Sequence, residues 1–115
     1  MAKIKGLDQW FRKTDNKSKE LEESVKSLIA ETAYKIESDA KKLTPVDTGN
    51  LRRSIKTDIK EDGLTAEIGT NVEYAIYVEF GTSKQPARPY LTPAYVKQKK
   101  KFNDGLRDIV KGIGD

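Results

Sequence analysis

Asp47-Thr48-Gly49 is the first place in this sequence where chemistry could reside. In an aspartic protease such a triplet supplies one of two carboxylates that share a proton, and a short chain would supply the second by dimerising. That chemistry needs the aspartate in a loop between strands of an all-β fold. Here the triplet lies in TPVDTGNLRRSI, behind a long helical pattern and a proline and ahead of Arg52 and Arg53. Two cations so close would crowd a buried carboxylate pair. A three-letter motif also recurs by chance, so a dimeric protease using Asp47 is kept only as a remote alternative. A chain reversal accounts for the residues better. Asp47 and Thr48 can bond free backbone amides after Pro45, Gly49 permits a positive φ, and Asn50 can cap a single turn through Leu51-Arg52-Arg53.

Two further groups invite a chemical reading. Glu79, in Glu79-Phe80-Gly81-Thr82, could be a general base, but no acid, nucleophile or metal ligand stands near it in sequence. The simpler reading has Phe80 anchoring a corner in the core, Gly81 making the turn, and Glu79 bonding backbone or an arginine such as Arg88. Lys97, Lys99, Lys100 and Lys101 form a basic run. Nucleic-acid binding wants a wide positive face with stacking aromatics. Tyr90 and Tyr95 are near, but Tyr95 falls on an apolar stripe, and acids in 20–23 and 61–67 interrupt the field. A small basic nucleic-acid-binding accessory protein is therefore the alternative reading.

Composition closes most other routes. The 115 residues include neither histidine nor cysteine, so imidazole bases, catalytic triads, thiolates and disulfides are all absent. No cofactor or metal site is expected. The net charge of +4 is mildly basic. No apolar run approaches the ~20 residues of a membrane span, and synthesis in the cytoplasm of the producing cell is the default expectation.

The elements that must position these residues follow from periodicity. Residues 1–17 are a lysine-rich lead in which Ile4, Leu7, Trp10 and Phe11 fall at helical spacing, an arm or short helix distinct from a single domain over 18–115. Ser18 is a plausible N-cap for a long helix ending near Leu43, with Leu21, Val25, Leu28, Ile29, Ala33, Ile36, Ala40 and Leu43 on one face. Pro45 explains its stop. Ile55, Thr57 and Ile59 alternate with charged residues, Asp62-Gly63 is a hairpin turn, and Leu64, Ala66 and Ile68 alternate on the return. Residues 72–80 are ambiguous between strand and helix. Thr70 with Glu73 as a capping box and Gly81 as C-cap favour a short helix. A proline-rich crossing follows, including Pro89, and from Thr92 or Pro93 the stripe Leu91, Tyr95, Gln98, Phe102, Leu106, Ile109, Ile113 predicts a closing helix. The expected class is α+β: a long N-terminal helix, a β-hairpin in a small antiparallel sheet, a short middle helix and a C-terminal amphipathic helix.

Three stretches in this order carry a resemblance: Thr44-Pro45-Val46-Asp47-Thr48-Gly49-Asn50-Leu51, then Tyr74-Ala75 with Val78-Glu79-Phe80-Gly81-Thr82, then Pro86-Ala87-Arg88-Pro89-Tyr90-Leu91. Over about residues 20–113 the chain resembles the tail-component family of tailed bacteriophages typified by the tenth gene product of phage Hong Kong 97. The lysine-rich lead carries no mark of it. The resemblance implies a structural virion protein of the head–tail joint, a neck or tail-completion ring, without enzymatic activity. Its implied partners are further copies of itself and other connector and tail proteins, with non-specific contact to DNA in the channel. Within such a ring Asp47, Arg52, Glu79 and Arg88 are expected at or near subunit contacts, and Pro45, Gly49, Gly63, Gly81 and Pro89 are expected to shape the turns.

Overall fold

The computed structural model describes residues 2–4, 19–45 and 49–114. Its elements in chain order are β1 (Ala2–Ile4), α1 (Lys19–Leu43), α2 (Gly49–Ser54), β2 (Lys56–Ile59), β3 (Ala66–Gly69), α3 (Ala75–Phe80) and α4 (Leu91–Gly114). This is the α+β class that the periodicities predict, and α1 and α4 make its longest packed contact.

α1 forms because its apolar residues return every third or fourth position. Val25, Ile29, Ala33, Ile36 and Ala40 are all fully buried. Each of the two isoleucines contributes roughly 2 kcal/mol through burial. Glu20 and Glu22 lie in the first turn and Lys41 and Lys42 in the last, matching the helix dipole at both ends. Ion pairs Glu22–Lys26, Glu31–Lys35 and Glu37–Lys41 sit one turn apart on the outer face. They add only a few tenths of a kcal/mol each. At the end of α1 the amide and the hydroxyl of Thr44 both donate to the Ala40 carbonyl, at 3.0 and 2.7 Å. A last-turn carbonyl is thereby satisfied just before Pro45 diverts the chain.

α4 runs antiparallel to α1. Gln98, buried on the apolar stripe, donates from Nε2 to Asp39 Oδ2 at 2.6 Å. Farther along, Gly105 lets the helices approach closely, since a Cβ there would lie 3.1 Å from Leu28 Cδ1.

The sheet has strand order β1-β3-β2 and is antiparallel throughout. Lys56, Thr57, Asp58 and Ile59 oppose Gly69, Ile68, Glu67 and Ala66. Alternation turns Ile68 and Ala66 toward α1, and the Thr57 hydroxyl donates to the Ala33 carbonyl at 3.4 Å. The outer face sets Asp58 opposite Glu67. Lys60 bridges the two acids, at 2.6 Å from Asp58 and 3.4 Å from Glu67, which removes the like-charge penalty of that pair.

Four local expectations are corrected. Ala2–Ile4 is an edge strand rather than part of a helix, because pairing with β3 satisfies backbone groups that a short isolated helix would leave frayed. Leu7, Trp10, Phe11 and Ser18 lie outside the described residues. The Asp62-Gly63 turn is wider than a two-residue hairpin. Lys60 bonds Thr65 at 2.9 Å, the Gly63 amide closes onto the Lys60 carbonyl, and the Asp62 carboxylate accepts from the Leu64 amide. Gly63, at φ 72°, supplies the left-handed residue. Gly49 does not have a positive φ and begins α2. Asn50 lies inside that helix, where its side-chain oxygen accepts from Arg53 rather than capping. The Thr70–Glu73 capping box does not form: the Thr70 hydroxyl serves the Val72 amide and Ser54, and α3 begins at Ala75, later than expected, with Tyr74 at the N-cap and no side-chain cap. No helix among the described residues is long and apolar enough to cross a membrane.

Candidate functional site

The residues singled out by the sequence divide between two places. Asp47 lies outside the described residues. Arg52, on α2, donates from one terminal nitrogen to the Thr44 carbonyl at 3.0 Å, so it ties α2 to the end of α1. Its Nε is buried without a partner among the described residues. Glu79 and Arg88 share a different corner, formed by α3 and the crossing that follows it.

Glu79 is the centre of that corner. It is buried, at 7% exposure, and its Oε1 accepts the amides of Tyr90 at 3.2 Å and Leu91 at 2.9 Å. Its Oε2 accepts the Thr92 amide at 3.0 Å. A helix leaves its first N–H groups without intrahelical partners. Here three of those donors end on one carboxylate, and the next residue, Pro93, has no N–H to satisfy. The N-terminus of α4 is thus fully accounted for by a side chain from another helix. Burial alone would raise the Glu79 pKa. The Leu91 and Thr92 amides, the Thr92 hydroxyl and the Tyr90 amide outweigh it and hold the carboxyl below its ordinary value. Tyr90 moves the other way: burial, with the Glu79 charge beside it, pushes its hydroxyl up to about 12.

The backbone of the corner is equally determined. Gly81, the C-cap of α3, has φ 77° and donates to the Tyr77 carbonyl at 2.8 Å. A Cβ at Gly81 would stand 2.6 Å from the Ala87 nitrogen. Thr82 closes the loop, its hydroxyl accepting from the Lys84 and Gln85 amides and its amide donating to the Gln85 carbonyl. The Arg88 amide returns to the Val78 carbonyl at 2.8 Å, pinning the crossing against α3. Pro89 lies exposed in that crossing, one residue before the first donor to Glu79.

One expectation is reversed at this corner. Phe80 does not anchor the core; it is 72% exposed, and Ile76 and Tyr77 are similarly open at 58% and 61%. α3 buries Ala75 and Glu79 instead. In a six-residue helix with apolar residues on every side, spacing does not say which face is inner. The clue available was chemical: a carboxylate eleven to thirteen residues ahead of a helix start that lacks a Ser, Thr or Asp cap. Beside the exposed face lies a hollow of about 580 Å³, lined by Val72, Ala75, Ile76, Phe80, Leu91 and Tyr95 among others. Its charged lining residues are Glu73 and Glu79 alone.

These arrangements offer little for catalysis. A good general base sits near the working pH, whereas Glu79 is held low with its oxygens occupied. Among the described residues no group of carboxylates could hold a metal ion. The lysine run is partly committed as well: Lys97 stands 3.6 Å from Asp39, and Lys99 lies 5.8 Å from the Tyr95 ring centre.

Comparison with known proteins agrees with the resemblance in the sequence. No curated protein and no solved structure matches the chain. Residues 10–81 match the HK97-gp10-like family, whose members are assigned as bacteriophage tail components. The match takes in the TPVDTGNL and YVEFG stretches and reaches back into the lysine-rich lead; the PARPYL stretch lies beyond it. With most of its length matched, the chain belongs to the HK97-gp10-like family of bacteriophage tail components.

Proposed function

We propose that the protein is a non-catalytic structural component of the head–tail joint of a tailed phage, placed in a neck or tail-completion ring and carried in the virion. Family membership is the observation that carries this reading. The corner geometry supports it. The one carboxylate buried at the corner holds a helix end together, and the conspicuous surface beside it is apolar, as a contact surface would be. In this reading the ring is built from copies of the chain and touches other connector and tail proteins, with non-specific contact to DNA in the channel. Arg88 and the face of α3 lie at or near the subunit contact. Glu79 contributes by fixing the backbone behind it, and Arg52 and Asp47 are further residues at or near subunit contacts.

The test is deletion of the gene in its phage or prophage, with negative-stain imaging of the lysate. DNA-filled heads beside separate finished tails are expected. Normally joined virions would refute the joint role. Binding of DNA by the purified protein that weakens steeply with salt would instead favour the nucleic-acid alternative.

A further inference from the structure

The outer face of α3 is an apolar surface held rigidly in place. Gly81, the Val78–Arg88 bond and the three amides on Glu79 fix the helix that presents Ile76, Tyr77 and Phe80 to solvent. At ~200 Å² for a fully exposed side chain of this size, the three leave roughly 400 Å² uncovered. That is as large as the biggest patch on a typical monomer and about half of one side of a standard protein interface.

Charge selects the occupant. The hollow beside the patch carries acids and no cation, although the chain as a whole is +4. Patch-on-patch pairing would bring Glu73 toward its own copy, while Arg88, which lies on the Tyr77 side of α3, is not among the residues lining the hollow. The other large apolar residues exposed among the described residues are Tyr34, Leu43, Tyr74, Val96 and Val110. Apart from Tyr74, which belongs to the α3 corner itself, each has a lysine as its immediate neighbour: Lys42 and Lys111, and also Lys35 and Lys97, which stand near Glu31 and Asp39 of their own chain. A second copy therefore brings what the hollow accepts, an apolar side chain with a cation beside it.

We infer that the α3 face binds a second copy of this chain heterologously, receiving one of these lysine-flanked apolar positions; the inference rests on the ring reading above and assigns its contact. A contact between two different patches leaves a pair of protomers with one of each unused, so it propagates, and it closes into a ring when the rotation permits.

The experiment places a photoreactive benzoylphenylalanine at position 80 of the full-length protein, irradiates it and maps the covalent dimers by mass spectrometry. Phe80 is exposed, so the substitution spares the core, and circular dichroism checks the fold. Cross-links from position 80 to peptides holding Tyr34, Leu43, Val96 or Val110 of a second copy are expected. Glu73→Lys should reduce their yield about fivefold, the worth of one exposed charge pair. Absence of dimers, cross-links between two α3 segments, or cross-links into residues 5–18 would each overturn the assignment. Failure here is separable from failure of the joint role. Missing cross-links alongside unjoined heads and tails in the deletion would leave the joint role standing without this contact. Correct cross-links alongside normal virions would do the reverse.

Discussion

Glu79→Gln is the substitution that most directly tests how α4 is held. The change keeps Oε1, which accepts from Tyr90 and Leu91, but turns an NH2 group toward the Thr92 amide that Oε2 now accepts at 3.0 Å. One charge-assisted bond is lost, about 1.5–3 kcal/mol, and a buried donor is left facing another donor. The favourable placement of a negative charge at the helix N-terminus goes too, about 0.5–1 kcal/mol. Together the cost is on the order of 3 kcal/mol, a fifth or more of the ~5–15 kcal/mol that holds a domain. Urea unfolding followed by circular dichroism at neutral pH would read it as a lower midpoint with an unchanged slope. The pH dependence gives a second readout. The folded-state pKa of Glu79 lies below the ordinary 4.5, so its contribution is present above that value and is lost as pH falls through the folded pKa. Glu79→Gln should therefore lose less stability than wild type between neutral pH and the acid limb. A variant within about 0.5 kcal/mol of wild type, or one with an undiminished acid loss, would refute the capping argument.

Three other outcomes follow from the same structure. Gly81→Ala should destabilise by about 2 kcal/mol or more, seen as a lower melting temperature, because φ 77° and a contact 2.6 Å from Cβ both oppose it. Gly112→Ala should stabilise by about 0.5–1 kcal/mol in the same melt, since the position is helical and nothing lies within 4 Å of the new methyl group. Tyr90, whose hydroxyl is pushed up to about 12 from 10.0, contributes stability that is complete below pH 10 and lost as pH rises toward 12. Tyr90→Phe should remove that part of the alkaline loss in a pH-dependent unfolding series.

The long elements were readable because periodicity and burial agree over many turns. Val25 through Ala40 on α1 and Gln98 and Phe102 on the α4 stripe each repeat a helical face, and these residues are buried, as is Ala94, which the stripe did not include. The short elements were harder. β1 is three residues long and owes its conformation to β3, a partner more than sixty residues away, which no local pattern encodes. α3 was legible as a helix but not in its orientation: Phe80, expected in the core, is exposed, while Glu79 bonds backbone as expected, through the amides of Tyr90, Leu91 and Thr92. Burial of Glu79 is decided by donors on another segment, and the exposure of Phe80 follows from that choice. The Asp47-Thr48-Gly49 triplet gave the least: its glycine opens a helix rather than a loop between strands, and the remainder lies outside the described residues.

The pairing of two helices of 25 and 24 residues over a three-stranded sheet gives the molecule extents of 55 × 24 × 20 Å. Its radius of gyration is 16.3 Å, against ~13–14 Å for a compact domain of this length. A particle this slender feels more drag than a sphere of equal mass, so it leaves a gel-filtration column early. Elution volume alone would overstate the mass of a single chain. Light scattering or sedimentation equilibrium, which weigh the particle regardless of its outline, will distinguish a lone rod from the first closed contact between two of them.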